Sequence, residues 1–224
     1  MESYKKDLEL EQQTHKQLEM CVYPRLRYDS VGYACNTWIF DKNEQHKDKD
    51  VFLTMQDGKR FSISEKARYK NYGDILIEII KNNVILRNSK KDGYGWGLNS
   101  EADYIVYCMG ANRVVILDNT NGILVNTIHN LLRRNNDIFV GTVNKYKNEY
   151  RGIRDDMTFD SCAVTLTGAL NKKDNNETYM TYSICFPIYF FKNENLLVYD
   201  GELNGNAIEL NISKKQESSK KSLF

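Results

Sequence analysis

The chain has 224 residues, enough to bury a sizeable core without disulfides or a structural metal. Lys and Arg number 31 against 30 Asp and Glu, a net charge of +1, so no global basic field marks a nucleic-acid binder and any such site has to be a local patch. A hydrophobic share of 41% with 15 tyrosines excludes a disordered chain.

Residues Glu2 to Val22 read as an amphipathic helix, with Tyr4, Leu8, His15, Leu18 and Val22 near one face and Pro24 ending it. The start, Met1-Glu2-Ser3-Tyr4-Lys5-Lys6, lacks the apolar core of a signal peptide, and Tyr182 to Phe191, the nearest thing to a membrane span, is too short. Gly32 to Phe40 predicts a first strand, followed by a charged loop, Asp41 to Lys49. Val51 to Met55 and Arg60 to Lys66 predict a hairpin turned at Asp57-Gly58. Asp74 to Ile80 is apolar and β-branched apart from Glu78, the pattern of a central strand turned at Asn82-Asn83. Gly93-Tyr94-Gly95-Trp96-Gly97 is a Gly-aromatic loop. Ala102 to Met109 and Arg113 to Leu117 predict two more strands around a turn at Gly110-Ala111-Asn112. Asn119 or Thr120 caps a helix running to Arg134, with Ile123, Leu124, Ile128, Leu131 and Leu132 on its buried face. Cys162 to Thr167 and Tyr179 to Phe191 predict strands, with an edge or bulge near Pro187. Ser213 to Phe224 is a polar Lys/Ser tail with the composition of disorder.

No repeat and no linker divides the chain. The expectation is one mixed α/β domain over residues 1–212, with 135–212 as a possible appended subdomain. Cys21, Cys35, Cys108, Cys162 and Cys185 are scattered with no CxxC pair, which fits a reducing, cytoplasmic setting.

The stretch from Asp50 to Glu78 carries the chemistry. Phosphodiester hydrolysis needs an activated water and neutralisation of charge on the phosphate. Mg²⁺ or Mn²⁺ held by carboxylates supplies both, and a neighbouring lysine orients the water or stabilises developing charge. On a strand through Ser64-Glu65-Lys66, Ser64 and Lys66 share one face and Glu65 points to the other. Asp50, just before the partner strand, approaches the same end of the sheet. Glu78, flanked by Ile77 and Ile79, needs a metal, a cation or a hydrogen-bond partner if it is buried.

Gln45 and Asp50, then Ile63-Ser64-Glu65-Lys66-Ala67-Arg68, Ile77-Glu78-Ile79, Gly95-Trp96-Gly97 and Ala102-Asp103-Tyr104-Ile105-Val106-Tyr107 occur in one order. This series resembles the PD-(D/E)xK nuclease superfamily, in particular small phage and bacterial members with an acid-Glu-Lys-Ala core, over roughly the first two-thirds of the chain. The resemblance implies a restriction-endonuclease-like α/β fold, a mixed central sheet flanked by helices. It makes Asp50 and Glu78 metal-holding groups and Lys66 the catalytic lysine. Ser64 departs from the pattern, which has Asp or Glu two residues before the lysine. Three arrangements meet that departure: Glu65 reaches the metal through a bulge, Glu78 supplies the carboxylate, or the site is dead and the fold is kept for binding.

Each residue also has a structural reading. Asp50 fits an exposed loop acid, Lys66 a basic residue flanking a strand, Glu78 an ion pair with Lys66 or Arg68, and Trp96 a cap on the core. His15, His46 and His129 have no metal-ligand spacing. Arg68, Lys70, Lys90 and Lys91 are the candidate phosphate contacts, and Arg133, Arg134, Lys145, Lys147 and Arg151 to Arg154 form a further basic region. The expected function is divalent-metal-dependent cleavage of nucleic acid, DNA more than RNA, with Lys66, Glu65 and Ser64 in the reaction. No membrane association is expected, and a homodimer is compatible. The alternative is an inactive nuclease-like binding protein, such as a phage accessory or counter-defence factor.

Overall fold

The computed structural model describes residues 2–80, 93–110, 112–146, 152–172 and 178–210. In chain order the elements are α1 (Glu2–Gln17), β1 (Leu26–Tyr28), β2 (Val31–Trp38), α2 (Lys42–Gln45), β3 (Val51–Met55), β4 (Arg60–Arg68), β5 (Asp74–Ile80) and α3 (Trp96–Asn99). They continue with β6 (Tyr104–Met109), β7 (Arg113–Asp118), α4 (Ile123–Arg134), α5 (Asn136–Lys145), β8 (Ile153–Phe159), β9 (Cys162–Lys172), β10 (Thr178–Pro187), α6 (Ile188–Asn193), β11 (Leu197–Glu202) and β12 (Ile208–Glu209).

Period-two alternation builds two sheets from these strands. An eight-stranded mixed sheet runs β11-β7-β6-β4-β3-β2-β1-β12, and a four-stranded antiparallel sheet runs β5-β10-β9-β8. Strands β4 and β6 are parallel neighbours in register Ile63↔Tyr104 to Arg68↔Met109. A parallel pair needs a crossover, and here the connecting chain includes β5 and α3. Alternation then sends successive residues of β6 to different cores. Tyr104, Val106 and Cys108 pack with Val51, Leu53, Ile63, Leu18, Val22 and Tyr23. Ile105, Tyr107 and Met109 pack on the other face with Ile75, Ile77 and Ile79 of β5, Leu124 and Ile128 of α4, and Ile184 and Phe186 of β10. The large sheet is thus covered on both sides, which is why its central strands read as nearly continuous apolar runs. The fold is mixed α/β.

The hairpin, the β6–β7 pair and the α4 helix stand where the sequence predicts them. Four differences have physical causes. The first helix stops at Gln17 and passes through a π turn (Leu18–Val22) and a 3₁₀ turn (Tyr23–Arg25), because Pro24 brings no N–H and crowds the turn before it. β5 is an edge strand of the second sheet and not a central strand; its apolar face is buried by the neighbouring sheet and by α3 and α4. The run Tyr179 to Phe191 is not one strand: β10 ends at Pro187, and Ile188–Asn193 turns into α6, whose Phe190 and Phe191 are buried. Finally, residues after 135 are woven into both sheets, β11 onto β7, β12 onto β1 and β8 to β10 beside β5. Asn82-Asn83 and Ser213 to Phe224 lie outside the described residues, as do the side chains of Tyr4 and Leu8. No helix of the described residues is long and apolar enough to cross a membrane.

Candidate active site

Strand β4 is longer than its partner on one side. Its pairing with β3 runs from Thr54↔Arg60 to Val51↔Ile63 and stops, whereas its pairing with β6 continues to Arg68. Asp50 stands where the ladder ends. Its N–H donates to Ile63 O (2.8 Å), and its Oδ2 accepts from Glu65 N–H (2.8 Å) and lies 3.5 Å from Ser64 Oγ. A side chain therefore replaces the backbone partner that β3 no longer provides, and the remaining residues of β4 border an open cleft of about 680 Å³.

Lys66 lies on the wall of this cleft. Its Nζ is 2.5 Å from Asp48 Oδ1, and the charges of Asp50 and Glu78 also reach it. Burial works against the ammonium, but the three carboxylates outweigh burial and raise its pKa, so Lys66 stays a cation. Burial pushes the Asp50 carboxyl up, against the pull of Lys66 and of the Glu65 N–H. Asp48 holds a left-handed backbone (φ 61°), a conformation Asp tolerates better than most residues, at the end of the turn after α2. One of its oxygens, Oδ2, is buried without a hydrogen bond. Gln45 is structural, its Nε2 donating to Ile39 O at 2.9 Å. Asp103 is structural too, accepting from the N–H and Oγ of Ser62 at 2.7 and 2.8 Å and thereby pinning β4 beside the start of β6.

Glu78 arrives from the other sheet. Alternation along β5 turns Ile75, Ile77 and Ile79 into the core and leaves Leu76 and Glu78 lining the cleft, with Ser183 as the cross-strand partner of Glu78. The Gly-Trp-Gly run explains its placement. Gly95 N–H donates to Ile79 O (3.0 Å), and a Cβ on Gly95 would stand 2.3 Å from Glu78 O, so only glycine allows this approach. Trp96 follows directly, packs against the core and brings its ring to 5.6 Å from Lys66 Nζ. Gly95→Ala is therefore expected to cost about 1–3 kcal/mol by forcing the backbone of β5 to move. Chemical denaturation checks this, and an unchanged midpoint would contradict the close approach.

Glu65 belongs to a different network. It points to the opposite face of β4, on the far side of the same cleft, where its carboxylate meets His15 Nδ1 at 2.9 Å and the hydroxyl of the fully buried Tyr23. His15 Nε2 lies 3.2 Å from Glu19 Oε1, and its ring rests against Trp38 with centroids 3.7 Å apart. Burial would lower the pKa of His15, but the hydrogen bond and charge of Glu65, with help from Glu19, raise it. Burial pushes the Cys108 thiol up to about 12, with the charge of Glu65 adding to it, so that thiol is no nucleophile. Glu65 stays in regular strand register opposite Val106, without the bulge that would turn it toward Lys66. Glu65 is thus engaged by His15 and Tyr23, while Glu78 lines the cleft from the second sheet.

Among the expected phosphate contacts, Arg68 pairs with Asp74 Oδ1 at 2.5 Å and lies over the Tyr72 ring, 4.6 Å from its centroid. Lys70 is exposed at the rim of the cleft. Lys90 and Lys91 lie outside the described residues. In the later basic region Arg134 and Lys145 are neutralised by Asp160 (2.6 Å) and Asp155 (2.9 Å). Asp48, His15 and Tyr23 are the site residues that sequence reasoning passed over. Asp48 sits in a charged loop whose default reading is solvated, and only its spacing of two residues from Asp50 hinted at a shared face.

No trio of His, Cys, Asp or Glu among the described residues is arranged to hold a metal ion by itself. No family model, no curated protein and no solved structure matches this chain.

Proposed function

We propose that the chain is a divalent-metal-dependent nuclease acting in the cleft at the free end of β4. The observation that carries this reading is that Asp50, Lys66 and Glu78 line one cleft, with Asp48 at 2.5 Å from the lysine, the carboxylates being drawn from a loop, a strand end and a second sheet. Carboxylate oxygens are the ligands Mg²⁺ takes, and it needs only one or two of them because it keeps several waters. Asp50 and Glu78 would hold the ion, with waters filling the rest of its shell. When bound, the ion acidifies a water and offsets charge on the phosphate.

The protein's own groups do the rest. Lys66, kept protonated, donates to an oxygen of the substrate or of the attacking water and opposes charge that grows in the transition state. Asp48 holds the ammonium in place. Ser64, fully buried against Asp50, steadies that carboxylate and makes no contact with substrate. A restriction-endonuclease-like core is supported by the β3–β4 hairpin with its acid and lysine and by β6 running parallel to β4. The crossover through β5 of a second sheet is a departure from a plain helical connection. A second reading, binding without cleavage, is favoured by Ser64 at the motif-acid position and by the engagement of Glu65 on the far face.

Asp50→Asn tests the metal role. The folded pKa of Asp50 is raised from 3.8, so its stabilising contribution is complete below that value and is lost as pH rises through the folded pKa; at neutral pH the ionised group costs stability. Without divalent ions, Asp50→Asn should therefore raise stability at neutral pH and raise Tm. Saturating Mg²⁺ or Mn²⁺ at about a hundred times Kd should stabilise the wild type by about 2.7 kcal/mol and the variant far less. A variant less stable than wild type in EDTA, or an equal response to the ion, would count against the reading.

A further inference from the structure

We infer that the cleft selects single-stranded nucleic acid, holding unpaired bases on a set of aromatic rings backed by cations. This deepens the nuclease reading and rests on it for the identity of the polymer.

Among the described residues eight large hydrophobic side chains are exposed, and three of them, Trp38 (41%), Tyr69 (58%) and Tyr72 (57%), line this one cleft. Trp96 and the buried Tyr107 are further rings in its wall. Rings left in water around an open polar site are costly unless something covers them. Three of these rings also lie against a basic group. Trp38 rests on His15 with centroids 3.7 Å apart, Tyr72 lies 4.6 Å from the Arg68 guanidinium carbon, and Trp96 lies 5.6 Å from Lys66 Nζ. A ring held in this way is a preformed stacking platform, since little rotamer freedom remains to be lost when a base lands on it.

Stacking distinguishes single strands from duplexes. In a duplex the base faces are covered by their neighbours and only edges and phosphates are offered. In a single strand each base has a face to give, and aromatic side chains take it with little regard to sequence. The charge distribution points the same way. A duplex binder needs a broad phosphate footprint, but the net charge here is +1, and Arg68 and Lys66 are already engaged by Asp74 and Asp48. Lys70 remains at the rim as an exposed cation. Among the described residues lining the cleft few cations are left for phosphate, so affinity comes mainly from stacking and its salt dependence is shallow.

The test is fluorescence anisotropy with the full chain, a labelled oligo-dT of about 12 nucleotides and a blunt duplex of equal length, in EDTA and again with Ca²⁺. The expected result is binding to the single strand at least about tenfold tighter than to the duplex. The slope of log K against log salt should be about −1 to −2, as for one to three phosphates. Trp38→Ala and Tyr72→Ala should each weaken single-strand binding by about 5- to 150-fold, the usual worth of one stacked base, whereas Tyr72→Phe keeps it. Equal or tighter duplex binding, no binding to either, or alanine variants that hold the single strand like wild type would overturn the inference. Cleavage plays no part in these readouts. A protein that binds single strands and never cuts them would sink the nuclease reading alone, and one that cuts duplexes without single-strand preference would sink this inference alone.

Discussion

Lys66→Met is expected to lower the rate of phosphodiester cleavage by about 10²–10³-fold, the usual cost of removing one preorganised donor from a developing negative charge. The loss should fall on kcat more than on KM, because the ammonium acts on charge that appears only in the transition state. The same substitution leaves the half-buried Asp48 carboxylate, formerly 2.5 Å from Lys66 Nζ, without its partner. Stranding a half-buried charge costs roughly 1–3 kcal/mol, so the variant has to be assayed where circular dichroism shows it folded. Glu78→Gln keeps the volume and removes only the charge, and it separates lost chemistry from lost fold. Full activity in both folded variants is the outcome that contradicts the assignment.

Glu65→Ala should be the most destabilising single change on the opposite face, by roughly 3–5 kcal/mol. It strips the buried Tyr23 hydroxyl of its acceptor and His15 of its counter-charge at once. The pH dependence carries a sign that identifies the cause. The folded pKa of His15 is raised above 6.5, burial opposing and Glu65 and Glu19 prevailing. Its contribution is therefore complete below that value and disappears as pH rises through the higher folded pKa. Wild-type stability should fall across that window in denaturation series, and Glu65→Gln should flatten the fall while retaining cleavage within a few-fold of wild type. An alanine variant as stable as wild type, or a wild-type slope of the opposite sign, would refute the buried network.

The hairpin, the β6–β7 pair and the α4 helix were legible because each rests on local signals: alternation, an Asp-Gly turn, or a 3.6-residue apolar stripe. The opposite facing of Ser64 and Lys66 against Glu65 follows from strand geometry alone, and the structure has it. What could not be read was set by tertiary packing. β5 has the composition of a central strand, yet it lies at a sheet edge, because burial by a neighbouring sheet leaves the same apolar signature as burial by neighbouring strands. The end of β10 at Pro187 was visible as a break but not as a change of element, since Ile188 to Phe191 suits a strand or a buried helical turn equally. Asp48 was hidden by its loop, where a carboxylate is ordinarily solvated. His15 was legible as a buried helix position, but its bond to Glu65 joins residues 50 apart, which no periodicity reports. The tightness of the Gly95 approach is likewise a property of two segments and not of either one.

Cleavage of labelled single-stranded and duplex oligonucleotides in Mg²⁺, Mn²⁺ and EDTA addresses the centre of this account. Fragments that form only with the divalent ion, and that vanish in folded Lys66→Met and Glu78→Gln proteins, are the predicted result. Intact substrate under every ionic condition, or cutting that persists in both variants, would mean that the charges gathered around Lys66 serve the fold and not a reaction.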